Sequence, residues 1–395
     1  MKISQLSGHE KLRPTKIPLR DVPHITLEPT MACNLTCSTC YNLAHDYAKS
    51  LPELEAELDI ALKKRNLETV SILGGEPTLH PRLIELVSYI KSKGLVCQLL
   101  TNGIVFNSAK GEALLERLVA AGLDRMIVHI DAGQGRSSDE NTRLCNSLFS
   151  RFEAKRLTFA LSVTVTDAVR DDIAELMKEF ARYRYFDGIL VTQAKNMDQL
   201  TAPAVHPGPD LSEISSGIER GLSIRASSYV PSSQDDREVC WLTYFYYYNT
   251  NTQKTFYLSS GYSRLFRSLY RNIEGKEFFA RTMNPRYSKI SFIMTALVEL
   301  LMSPARIPSL ARLVSHSGLM SSIRFHYIVI QSAPSFNGET GKPQICYHCP
   351  DATIRNGKIT PVCVADRINP LGPEGIGHQI NSVLRDAVYG HLEEP

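Results

Sequence analysis

The chain has 395 residues, of which 43% are hydrophobic and 22% charged, with a formal charge of +3. This composition excludes a disordered or low-complexity protein and leaves room for one large domain with an appendage. The first 24 residues hold no signal or transit pattern, and the longest apolar run, Ser291 to Met302, is broken by Glu299 and too short to cross a bilayer. A cytoplasmic location is therefore expected. Nine cysteines in such a chain point to metal ligation or catalysis rather than to a disulfide framework.

Residues 1–24 read as an N-terminal extension. From residue 25 to about 200 the sequence alternates short β-branched runs with longer amphipathic ones, the pattern of βα units on a parallel sheet. The six expected strands are ITLEPT from Ile25, VSILGG from Val70, VCQLLTN from Val96, RMIVHID from Arg125, TFALSVTVT from Thr158 and GILVTQ from Gly188. Between them, LPELEAELDIALKKRN from Leu51 and SAKGEALLERLVAAG from Ser108 carry apolar residues at helical spacing. An open doubly wound sheet and a partial barrel satisfy this pattern equally, and both put their chemistry at the C-terminal ends of the strands.

Residues 201–240, rich in Pro and Ser, read as a connector. Residues 241–340 read as a basic, aromatic, mainly helical segment, opened by WLTYFYYYNT and containing the apolar helix candidate KISFIMTALVELLMSP from Lys289. Between Lys254 and Arg324 eleven Lys or Arg stand against three acids, a local excess that suggests an anionic or lipid-like partner or a peripheral membrane contact. No nucleic-acid fold signature accompanies it. Residues 341–395 form a cysteine-containing tail.

Two cysteine groups carry the chemistry. Cys33, Cys37 and Cys40 follow the first strand as C-x3-C-x2-C, and three thiolates can hold three irons of a [4Fe–4S] cube while the fourth iron stays open to a small molecule. One βα unit later the second strand ends in Gly74, Gly75, Glu76 and Pro77; two glycines permit close approach of a ligand to the backbone, and a carboxylate beside them can hold an ammonium group. On the fifth strand Ser162 and Thr164 alternate with Leu161, Val163 and Val165, so one face offers small polar groups. Asn102 and Asp131 end the third and fourth strands, where turn chemistry also favours them.

In the tail, Cys346, Cys349 and Cys363 are spaced C-x2-C-x13-C around Asn356-Gly357, a two-residue hairpin signal that brings Cys349 and Cys363 together at the open end. A second [4Fe–4S] cluster is the expectation, with a zinc site completed by His348 or Cys240 as the alternative. Cys240 is the first candidate for a fourth ligand.

C-x3-C-x2-C after a first strand, followed by GGEP after the second, resembles the radical S-adenosylmethionine (SAM) superfamily. The residue before the third cysteine, usually aromatic there, is Thr39 here, and the aromatic Tyr41 follows Cys40. The tail spacing is similar to the auxiliary cluster of the molybdenum-cofactor GTP cyclase and to twitch and SPASM extensions. The resemblance implies an α/β fold: a partial (β/α)6 TIM-like barrel with a helical insertion and a small C-terminal hairpin domain. It further implies a [4Fe–4S] cluster on Cys33, Cys37 and Cys40, SAM contacts at Gly74 to Pro77, Asn102, Asp131, Ser162 and Thr164, and a one-electron donor such as a flavodoxin or ferredoxin. The implied reaction is reductive cleavage of SAM to a 5′-deoxyadenosyl radical that abstracts substrate hydrogen, with a small molecule or lipid favoured over a peptide. The competing reading is an iron–sulfur electron carrier or zinc-stabilised binding protein.

Overall fold

A computed structural model describes residues 1–6, 8–38, 40–42, 47–166, 173–194, 209–278, 288–315, 321–336, 343–369 and 371. The elements run β1 (His24–Leu27), α1 (Leu51–Lys64), β2 (Thr69–Ile72), α2 (Leu83–Ser92), β3 (Val96–Thr101), α3 (Ala109–Ala120), β4 (Arg125–Asp131), α4 (Ser138–Ala154), β5 (Thr158–Val165), α5 (Ile173–Phe180) and β6 (Phe186–Gln193). Then come α6 (Leu211–Leu222), β7 (Ser228–Pro231), β8 (Val239–Asn249), β9 (Lys254–Tyr257), α7 (Ser260–Glu274), α8 (Ser288–Met302), α9 (Ile307–Val314) and β10 (Ile323–Gln331). The chain continues through β11 (Ser335–Phe336), β12 (Pro343–Gln344), β13 (Ala352–Arg355), β14 (Lys358–Pro361) and α10 (Val362–Ile368).

Helix starts are written locally. Ser50 caps α1 and Glu53 returns a bond to the Ser50 backbone; Ser137 with Glu140 and Asp210 with Glu213 repeat the device at α4 and α6. Each helix then buries one stripe, as Leu54, Leu58 and Ala61 do in α1. Opposite that stripe the strands present alternate residues: Leu161, Val163, Val165, Ile189 and Val191 enter the sheet–helix core, leaving Ser162, Thr164 and Thr192 on the inner side.

Strands β1 to β6 lie in sequence order and parallel, the arrangement of a partial barrel, and the sheet continues past β6. β10 joins β6 in parallel, and β8 then β7 follow antiparallel. The expectation that residues 241–340 are mainly helical is thus corrected at both ends. WLTYFYYYN is a strand, because Leu242, Tyr244, Tyr246 and Tyr248 pack on the helix side while Tyr247 packs elsewhere, a period of two. Among the described residues, α7, α8 and α9 form the helical insertion. The Pro/Ser-rich 201–240 contains α6 and β7, with residues 201–208 outside the described set.

The N-terminal extension and the β13–β14 hairpin cover the open flank. Pro14 bridges to Tyr229 on β7, so the N-terminal extension runs along that edge before entering β1. Hairpin β13–β14 packs beside β1, with Ala352, Ile354 and Ile359 in the main core. At the N-terminal end of the barrel, Arg125 pairs with Asp187, donates to Gln98 Oε1 at 2.9 Å and lies over the Tyr327 ring, which closes the floor.

Candidate active site at the mouth of the barrel

The loop after β1 is held by backbone contacts from the Gly-Gly-Glu segment. Gly75 N–H donates to Thr30 O at 2.8 Å and Glu76 N–H to Ala32 O at 2.7 Å. A β-carbon on Gly75 would stand 2.1 Å from Ala32 O, and one on Gly74, at φ +134°, would stand 2.4 Å from Thr30 O. The glycines therefore admit the cysteine loop's own backbone, where the sequence suggested a ligand. Asn42 Nδ2 donates to Met31 O at 2.9 Å and pins the far side of the same loop.

Glu76 is buried and largely consumed inside the protein. Its Oε1 accepts from Thr78 N–H, Thr78 Oγ1 and Thr101 Oγ1 at 3.1, 2.6 and 2.8 Å, and Oε2 accepts from Asn102 N–H at 2.9 Å. It organises the turn after β3 and leaves little of its carboxylate for an ammonium group. Pro77 is buried and opens a short 3-10 turn for which Glu76 is the cap. Asn102 in turn donates to Asn34 Oδ1 at 2.7 Å within the cysteine loop, and its side chain also reaches the Cys33 thiol.

The three thiols are half-buried or exposed, and Leu35 N–H points at Cys33 Sγ at 3.4 Å. Burial raises the Cys33 pKa, opposed by the Leu35 N–H, with the Glu76 charge adding to the rise. Reduced thiols on one loop, with N–H and amide donors turned toward sulfur, fit the ligand set of an iron–sulfur cluster. Arg136, behind the 3-10 turn after β4, brings positive charge toward Cys37. Sequence reading passed over this arginine, which no motif marks.

Below the mouth, Ser162 lies beside His129 Nδ1 at 3.1 Å across β4 and β5. Thr164 pairs with Asp131 in the same ladder; the Asp131 side chain lies outside the described residues. Ser162, Thr164 and His129 thus share one inner wall, above the apolar group of Ile127, Ala160 and Tyr327.

The second group gathers four thiols. Cys240 and Cys346 pack in one cluster with Trp241, Val230 and Tyr347. That proximity is set by the backbone: Ser232 bridges Cys346, and Tyr347 N–H donates to Pro231 O at 3.0 Å. Hydrogen bonds to the Cys240 and Cys349 thiols, followed by burial, push the Cys346 pKa up; burial, then the Cys349 charge, does the same at Cys363. Asn356 and Gly357 both have positive φ, as the two-residue turn requires, and the pairing of Ala352 with Pro361 sets Cys349 and Cys363 at the open end. His348 instead directs Nδ1 to Ile17 O at 2.7 Å. Among the described residues no three metal-binding side chains already surround one point at bonding distance.

Between the two groups stand acids that the sequence did not single out. Asp351 accepts from Thr26 Oγ1 at 2.8 Å and is also bonded by Gln331; burial raises its pKa against those two donors. Glu28, fully buried at the end of β1, has Oε2 at 2.7 Å from Arg355 Nη2, and Arg355 also donates to Asp366 at 3.0 Å. Tyr41 faces this group: burial, then the charges of Glu28 and Asp351, push its pKa well up. Glu28 follows directly on the first strand in ITLEPT, a position that could have flagged it.

Residues 27–153 match the family described as the Radical SAM superfamily. A PqqA peptide cyclase of Xanthomonas campestris pv. campestris is 31% identical over 147 residues, covering 35% of this chain and 35% of that protein. A probable GTP 3′,8-cyclase of Methanocaldococcus jannaschii is 32% identical over 116 residues, 28% of this chain and 37% of that protein. SuiB of Streptococcus suis, solved with its precursor peptide SuiA, overlays at a TM-score of 0.42 with 18% identity, covering 53% of this chain and 47% of that one. The chain thus spans about a third of the length of the curated relatives it matches. The matched stretch contains both the cysteine loop and its Gly-Gly-Glu clamp, so residues 27–153 are similar to the core of the Radical SAM superfamily, a family whose cofactors are a [4Fe–4S] cluster and S-adenosylmethionine.

Proposed function

We propose that the protein is a radical SAM enzyme whose Cys33, Cys37 and Cys40 hold the catalytic [4Fe–4S] cluster, whose Cys240, Cys346, Cys349 and Cys363 hold a second, and whose polar substrate sits between the two. The observation that carries this reading is the backbone clamp of Gly75 and Glu76 on Thr30 and Ala32, which joins the C-x3-C-x2-C loop to the segment after β2. When bound, the cluster and SAM supply one-electron cleavage to methionine and a 5′-deoxyadenosyl radical.

The chain's own residues do the rest. The clamp fixes the thiols, and Asn102 directs its amide toward Cys33. Ser162, Thr164 and His129 offer hydrogen bonds along the wall, and the Arg125–Asp187 floor limits entry of water from below. Four thiols in the second group would leave a cluster held there no open iron, which favours a redox role over substrate binding. A flavodoxin or ferredoxin would supply the electron.

For the substrate, the polar wall and the peptide named for the PqqA relatives favour a peptide side chain over the lipid or small molecule expected from sequence. Protein reconstituted without oxygen, given dithionite and SAM, should release 5′-deoxyadenosine and lose that release on Cys37→Ala; no release from the parent protein overturns the reading. With Cys33, Cys37 and Cys40 all changed to Ala, iron should fall from about eight to about four atoms per chain, and further on Cys240→Ala.

A further inference from the structure

Ten of the eleven large hydrophobic side chains exposed among the described residues lie on the helical insertion. Leu265, Leu269 and Ile273 follow one another at helical spacing on α7, as Ile293, Leu297 and Leu301 do on α8. The exposure is large where it matters most, 78% at Ile273 and 83% at Leu301. The two helices are tied together, with Tyr262 Oη and Thr295 Oγ1 2.9 Å apart and Met302 packed over Gly261.

The charges around these helices are predominantly of one sign. Arg267 is matched by Glu277 and Arg306 by the buried Glu299, whereas Arg264, Arg271, Lys276 and Arg312 have no carboxylate partner among the described residues. The sequence linking α7 to α8 adds Arg281 and Arg286. Nine of the ten exposed groups are Leu, Ile or Met, whereas the hot spots of protein interfaces are enriched in Trp, Tyr and Arg, with Leu under-represented. An aliphatic face with unmatched cations is complementary to acyl chains under anionic headgroups.

The insertion sits at the end of the barrel opposite the cysteines. Asn66 donates to Gly275 O at 3.1 Å, Glu277 N–H to Asp21 O at 3.0 Å, and Tyr270 Oη to Glu68; Asp21, Asn66 and Glu68 precede β1 and β2. Both cysteine groups lie at the other end, since Trp241, next to Cys240, pairs with Gln331 at the finish of β10.

We infer that α7 and α8 dock this protein on an anionic membrane surface, with the barrel mouth facing away from the lipid. The contact is peripheral, because no helix among the described residues is long and apolar enough to cross a bilayer. It does not depend on the chemistry proposed above.

Flotation of the full chain with phosphatidylcholine vesicles, with and without about one third phosphatidylglycerol, tests it. Binding is expected only to the anionic vesicles, weakening roughly fivefold for each of Arg264→Ala and Arg271→Ala and as salt is raised. The double variant Leu269→Glu, Leu301→Glu should stay unbound while keeping the parent's circular dichroism and melting temperature, since both side chains are exposed. Absence of parent binding to anionic vesicles, or equal binding by the folded double variant, overturns the proposal. So does a parent dimer that the double variant dissociates in sedimentation, because the face would then belong to a second copy. Quenching of Trp241, the single tryptophan, by brominated acyl chains would overturn the orientation.

Discussion

Gly75 and Asn102 show how single residues hold the cysteine loop. A methyl group at position 75 would come within 2.1 Å of Ala32 O, so Gly75→Ala must displace the loop backbone, which has no flexible side chain to yield. Iron bound at the first site should drop at least about tenfold, read as iron and sulfide per chain in the variant whose tail cysteines are replaced. Asn102→Ala removes the donor to Asn34 and the amide near Cys33, a loss of about 1 kcal/mol in stability. Since donors to sulfur raise a cluster's reduction potential, the first cluster should become harder to reduce in this variant, a shift that spectroelectrochemistry would detect.

At the scale of elements, the tail hairpin is both turn and anchor. Gly357→Ala forces a β-carbon into a φ of +72° and should cost about 1 kcal/mol without abolishing the fold, visible as a lower melting temperature and slower cluster retention. Arg355 on β13 stands between Glu28, just past the end of β1, and Asp366 on α10, all three buried. Arg355→Met leaves two carboxylates uncompensated and should cost roughly 3–5 kcal/mol in denaturant unfolding. The same substitution with Glu28→Gln and Asp366→Asn should recover part of that loss, as a repaired charge balance requires.

For the molecule as a whole, two buried histidines set the response to acid. Burial, aided at His24 by the charge of Arg65, holds the pKa of His24 and His326 at about 3, against an ordinary 6.5. Between those values the unfolded chain binds one more proton per ring, so their contribution is present above pH 6.5 and is lost as pH falls toward 3. Each ring should contribute about 1.4 kcal/mol per pH unit to the slope within that window. Denaturant titrations from pH 7 to pH 5 would show it, and His326→Phe, which keeps the packing against Phe186 and Tyr246, should flatten the curve.

Periodicity and local chemistry were enough to read six parallel strands, the Asn356-Gly357 turn and both cysteine spacings, because each is decided within a few residues. The strand WLTYFYYYN escaped notice: its partner β10 begins only at Ile323, beyond the whole helical insertion, and its aromatic density masked a period of two. Elimination alone made Cys240 a candidate for the second thiol group, but the chain could not tell that Gly74 and Gly75 serve the protein's own backbone, or that Glu28, Tyr41 and Asp351 converge between the two thiol groups. Those facts depend on which strands become neighbours, a choice made by the burial of whole faces, and only the folded sheet makes it.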